Sequence, residues 1–240
     1  MFIKTLNDVF YDFIWEGRAK IKRSVMTKAY REGGLKMIDV NSYIYCLKIK
    51  WLKNCIYSNS KCYRLVSSLF DIDKLFNTGK LYCLLIMNKI KNAFWSDVLK
   101  AYSIFIDKFQ INNIEQLLHM PLFYNHMFIT GNDYIFIANL YSNGFRFVKD
   151  IINQHGEFKD IQYLELVTGK KINFLHYHNL KKQIKSYMLK FNISVYKEIL
   201  TVQYPILSCY MKPVICNGFN KKYISETLSR NTDKPSSVEK

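Results

Sequence analysis

No apolar run in this sequence approaches the roughly 18 residues needed to span a bilayer; the longest, Leu81 to Met87 (LYCLLIM), suits a protein core. A secretory leader is missing too, since Met1 opens directly into an amphipathic stretch. The reading is therefore an intracellular protein of nucleus or cytoplasm, neither secreted nor membrane-spanning. The six cysteines (Cys46, Cys55, Cys62, Cys83, Cys209 and Cys216) include no C-x-x-C pair, so reduced, partly buried thiols are expected. Internal repeats and low-complexity blocks are absent.

Catalytic signatures are equally lacking. There is no G-x-x-x-x-G-K-[ST], G-x-G-x-x-G or G-x-S-x-G. Two-metal chemistry needs carboxylates converging on ions about 4 Å apart. Asp71 and Asp73 form the only close aspartate pair before the tail and lack a third partner, so they read as a helix cap or solvated turn. His176 and His178 with Cys209 and Cys216 do not have a zinc-knuckle spacing. No base or oxyanion site can be assigned to a cysteine nucleophile. The chain alone reads as a non-enzyme with no cofactor of its own.

What the sequence does have is positive charge and aromatic rings. Thirty-five Lys and Arg face 19 Asp and Glu, giving +16, alongside 18 Tyr and 17 Phe in 240 residues. Such a balance attracts polyanions, either nucleic acid or an acidic membrane surface. The excess is uneven. Residues 1–60 carry 11 cations against 5 carboxylates, 61–120 carry 8 against 5, 121–180 carry 5 against 5, and 181–240 carry 11 against 4. With 49% hydrophobic residues, a packed core is expected between the two basic ends.

The chain reads as mainly α, with a few short extended segments. Leu6, Val9, Phe10, Phe13 and Ile14 have helical spacing over residues 4–15, and Gly17 stops that helix. Asp39 or Asn41 caps the next helix, whose stripe is Ile44, Leu47, Trp51, Leu52 and Cys55. Further helices are expected at 61–70, 80–91 and 93–109, then a short turn capped by Asn113 and ended by Pro121. Short helices and extended pieces should follow over 122–160. A helix from Asp160 should end at Gly169, and a longer one should cover 172–191 with Lys181, Lys182 and Lys185 outward.

The sharpest local feature lies between Gly17 and Lys36. Arg18, Lys20, Lys22, Arg23, Lys28, Arg31 and Lys36 are opposed inside that span by Glu32 alone, and Gly33-Gly34 closes the run. Cations on a loop with few competing carboxylates suit phosphate contact, with arginine forking two bonds and lysine acting as a point charge. Trp15 can stack on a base or anchor the preceding helix against the core. Lys50 and Lys53, on a separate face of the next helix, complete the candidate nucleic-acid-binding set. The bland reading of this loop is a solvated, solubilising face.

These residues carry a resemblance. Phe13-Ile14-Trp15-Glu16-Gly17, Lys20-Ile21-Lys22-Arg23, Glu32-Gly33-Gly34-Leu35, Asp39 and Leu47-Lys48-Ile49-Lys50-Trp51 look like the region just downstream of the polymerase core in non-LTR (LINE-type) retrotransposon reverse transcriptases. The similarity continues through Phe94–Ala101, Pro121–Asn125, Asn143–Asp150 and Ile172–Tyr177. It implies a thumb-like basic segment at 1–58, a helical post-polymerase region at 59–220 and a polar tail at 221–240. It also implies contact with RNA or an RNA–DNA hybrid. The family's aromatic-Ala-Asp-Asp motif does not occur in these 240 residues, so its magnesium ions would belong to a polymerase core upstream. The chain is thus expected to be a fragment that binds template–primer without polymerising. Against this stand a structural or non-functional helical fragment with no ligand, and a basic protein peripheral to membranes.

Overall fold

A computed structural model describes residues 5, 8–9, 11–13, 21–28, 30–37, 39–55, 60–130, 133–134, 136–153, 156–190, 209–211 and 221–229. The fold is mainly helical. The helices are α1 (Arg23–Thr27), α2 (Val40–Lys53), α3 (Lys61–Ser67), α4 (Ile72–Asn77), α5 (Lys80–Met87) and α6 (Ala93–Lys108). After them come α7 (Ile114–Leu118), α8 (Ala138–Ser142), α9 (Ile161–Thr168), α10 (Phe174–Lys190) and α11 (Lys221–Ser229). Short 3-10 turns cover Tyr30–Glu32 and Val148–Ile151. Strands β1 (Ile129–Thr130) and β2 (Asp133–Tyr134) pair antiparallel, Ile129 opposite Tyr134.

Short polar side chains start most of these helices by accepting an otherwise orphaned amide. Asp39 takes the amide of Ser42, Ser60 that of Tyr63, Asp71 that of Lys74, Asn92 that of Trp95 and Asn113 that of Gln116. Asp71 is thus a helix cap. At the end of α9, Gly169 sits in the left-handed region at φ 65°, where a side chain would be strained.

Helix α6 runs through the centre. Trp95, Val98, Leu99, Tyr102, Phe105 and Ile106 are all buried along it, on more than one face. Such a helix needs partners around much of its circumference. Helices α2, α5 and α11 supply them, and α11 also packs on α2. The segment expected as a polar tail is therefore helical over Lys221–Ser229, with Ile224, Thr227 and Leu228 buried. Lys108, at the end of α6, donates to the Leu228 carbonyl at 2.5 Å and satisfies a C-terminal acceptor of α11. Among the described residues, one continuous hydrophobic cluster extends from Cys46 to Leu228.

Two expected faces differ from the observed ones. On α2 the buried side is Ser42, Cys46, Ile49 and Leu52, because this side meets α6 and α11. Leu47 and Trp51 point to solvent, Trp51 resting edge-on against Phe94 at 5.4 Å. Near the N-terminus, residues 11–13 are helical with Tyr11 buried, while Val9 and Phe13 are exposed rather than core-facing. Leu6, Phe10, Ile14 and Gly17 lie outside the described residues.

The segments at 121–125 and 143–150 come together through backbone bonds. The Leu122 amide donates to the Arg146 carbonyl at 2.9 Å, and Val148 donates to Met120 at 3.1 Å. Asp150 fixes the second segment by accepting the amides of Arg146 and Phe147 at 2.8 and 2.7 Å. Burial raises its carboxyl pKa, and those two bonds pull it back. Gly79 docks alongside. A Cβ there would lie 2.6 Å from the backbone of Tyr124 and Asn125.

Four rings surround one ammonium in this region. Lys74 Nζ lies 5.1 Å from the ring centre of Tyr82, 5.3 Å from Tyr124, 4.9 Å from Phe136 and 5.8 Å from Tyr141. The cage ties α4, α5, the turn after Pro121 and α8 to one charge. Replacing Lys74 with Met should lower stability by about 1–2 kcal/mol in urea unfolding, whereas Lys74→Arg should keep most of it. A neutral Lys74→Met result would mean that the rings pack equally well without the cation.

Burial also acts on His126, with the Lys80 charge assisting and Asp107 opposing; together they lower its pKa. The folded state holds this ring neutral, while an unfolded chain protonates it near the ordinary value of about 6.5. The stabilisation is therefore present above that value and lost as pH falls through it. Urea midpoints should decline between about pH 7 and about pH 5, and His126→Gln should flatten the decline. An unchanged slope in that variant would place the titration elsewhere.

Candidate nucleic-acid interface

The basic segment folds back on itself. Lys22, in extended conformation, precedes α1, and its carbonyl accepts the amides of Val25 and Met26 at 2.9 and 3.2 Å. After the Tyr30–Glu32 turn, the Lys36 amide donates to the Lys28 carbonyl at 2.8 Å. The Met37 amide then donates to the Met26 carbonyl at 2.9 Å. Met26, fully buried, plugs the base of this loop.

The two glycines have different tasks. Gly33 adopts φ 74°, which lets the chain reverse. Gly34 is needed for space, because a Cβ there would lie 2.2 Å from the Lys28 carbonyl oxygen. Lys36 follows at φ 51°, an uncommon conformation for a residue with a side chain. It is held there by its bond to Lys28. Backbone held in this region costs of order 1–3 kcal/mol and concentrates at binding sites.

Lys22, Lys28, Arg31 and Lys36 are all exposed. None of them enters an ion pair among the described residues, whose pairs are Lys48–Asp97 at 2.8 Å and Lys80–Asp107 at 2.6 Å. The fold thus sets Lys28 and Lys36 across a shared backbone bond with Arg31 between them in sequence. Like charges on adjoining stretches of chain repel, and an anion bound beside them would offset that cost. Tyr30, 72% exposed at the loop tip, offers a ring for stacking. It was not among the expected contact residues. Its signal was an aromatic inside a polar stretch with no helical period.

Not every expected site residue joins this loop. Trp15, Arg18 and Lys20 lie outside the described residues, and Arg23 is described only as the first residue of α1. Lys50 is exposed and Lys53 half-buried at the far end of α2, about 15 and about 20 Å along the axis from its start at 1.5 Å per residue. They form a separate positive spot. Helix α10 carries another, with Lys182 and Lys185 exposed and Lys181 stacked 5.2 Å above the Tyr177 ring. Among the described residues no group of three or more His, Cys, Asp or Glu could hold a metal ion. None of their helices is long and apolar enough to cross a membrane.

Comparison with known proteins finds no matching family model, no similar curated protein and no similar solved structure.

Gly34→Ala should force the loop open. The Lys36 and Met37 amides should lose hydrogen-exchange protection while those of α6 keep theirs. Retained protection at Lys36 and Met37 would show that the loop accommodates a side chain at 34.

Proposed function

We propose that this chain is a piece of a LINE-type reverse transcriptase from downstream of the polymerase core. It grips the phosphate backbone of RNA or an RNA–DNA hybrid through the loop between Lys22 and Lys36. The observation that carries this reading is the folded-back loop itself. Two backbone bonds and a glycine with no room for a side chain hold Lys28 and Lys36 together, exposed and without carboxylate partners among the described residues.

Phosphate contact of this kind positions a strand without reading its sequence. Arg31 can fork onto one phosphate, the lysines supply point charges, and Tyr30 can lie against a base or ribose. Trp15, Arg18, Lys20 and Arg23 extend the same basic stretch in sequence, and Lys50 and Lys53 could meet a strand farther along. The absence of the aromatic-Ala-Asp-Asp sequence from these residues fits a holding role, with polymerisation and its metal ions assigned to another part of the parent protein. Such a fragment would act in the nucleus or cytoplasm, where its nucleic acid lies.

Fluorescence anisotropy of a labelled RNA–DNA hybrid across several salt concentrations tests the grip. With about four to six phosphate contacts, log K should fall against log salt with a slope of about −4 to −5, at roughly −0.9 per contact. Reversing Lys28, Arg31 and Lys36 to Glu should remove about 2 to 3 from that slope. A flat response from the folded chain would leave it a helical fragment without a ligand. Equal or tighter binding to acidic vesicles would instead make it a membrane-surface protein.

A further inference from the structure

The thiols of Cys55 and Cys62 lie 2.9 Å apart, Sγ to Sγ. Cys55 sits just beyond the last turn of α2, 1% exposed, with its thiol 3.5 Å from the Trp51 carbonyl oxygen. Cys62 lies in the first turn of α3 and is half-buried, the more exposed residue of the pair. The two helices therefore hold a dithiol whose sulfurs need to move by only about 1 Å to reach a disulfide bond length of about 2.05 Å. Cys46, Cys83 and Cys209 are buried free thiols elsewhere in the fold.

We propose that Cys55 and Cys62 form a reversible modification site, a dithiol that small disulfides such as glutathione disulfide oxidise to an intramolecular disulfide. The more accessible Cys62 reacts first. Its thiolate attacks one sulfur of glutathione disulfide, releasing one glutathione thiolate and leaving a mixed disulfide on Cys62. Cys55 then gives up its proton and attacks the Cys62 sulfur, expelling the second glutathione thiolate. Two protein thiols and one glutathione disulfide thus become one protein disulfide and two glutathione molecules. Burial and the neighbouring Cys62 both raise the Cys55 thiol pKa, which suits Cys55 to the second, resolving step rather than to the initial attack. The bond would join the end of α2 to the start of α3 across a separation of seven residues.

The test is oxidation of the native chain with glutathione disulfide, followed by acid quench, alkylation and peptide mapping without reduction. The expected product has lost the mass of two hydrogens and two of its six thiols, carries the Cys55–Cys62 link, and reverts with dithiothreitol. The link should form at least about ten-fold faster in the folded chain than in denaturant, because the fold holds the sulfurs together. Cys55→Ala should stop at a stable glutathione adduct on Cys62, and Cys62→Ser should leave Cys55 unmodified. If Cys55→Ala fails to fold, mapping of the unaltered chain decides alone. A lasting glutathione adduct on its Cys62, a link between two molecules, an unoxidised pair, or closure no faster than in denaturant would each overturn the proposal.

Discussion

Burial of helix α6 on more than one side is the constraint on which the rest of this structure depends. A 16-residue helix carrying Trp95, Tyr102, Phe105 and several aliphatic residues inward cannot stand against a single neighbour. Each such side chain contributes about 1.5–3 kcal/mol when removed from water. That gain is realised only if α2, α5 and α11 close around it together. Chain segments from both basic ends are thereby drawn to one core. The C-terminal helix α11 is the clearest case, because its polar sequence hides three inward residues that complete the packing around α2 and α6.

The large aromatic content is absorbed in a consistent way. Rings meet edge-on in the interior where Phe105 meets Phe109 and Phe109 meets Tyr210, and Tyr102 stacks on Phe105. Where rings gather near the surface, a cation fills the space between them, Lys74 in its four-ring cage and Lys181 over Phe158 and Tyr177. Part of the lysine excess is thus spent inside the architecture. The cations of the Lys22–Lys36 loop are different, since they project outward from a loop plugged by Met26, a residue separate from the main hydrophobic cluster.

Much of the helical architecture was legible because its signals are local. Asp39, Asn113 and Gly169 mark their helix ends by cap chemistry, and the inward Leu180 and Ile184 of α10 follow a 3.6-residue period. The errors arose where a neighbour decides which face is buried. Leu47 and Trp51 are as apolar as the residues beside them, yet α6 and α11 approach α2 from the other side. The helix expected over 61–70 is α3 and ends at Ser67, and a further helix, α4, opens after Asp71, a cap residue read only as a possibility. At the candidate site, the cations and the glycine pair could be read directly. The return bonds from Lys36 and Met37 could not, because they join residues eight and eleven positions apart with no repeating pattern.

The central claim is that the folded-back basic loop is where a nucleic-acid backbone rests. Hydrogen exchange of the chain with and without saturating RNA–DNA hybrid, read peptide by peptide, tests it most directly. The account predicts slower exchange concentrated over residues 21–37, with α6 unchanged. Protection confined to the lysines of α10, or no change over 21–37 while the hybrid is bound, would contradict it.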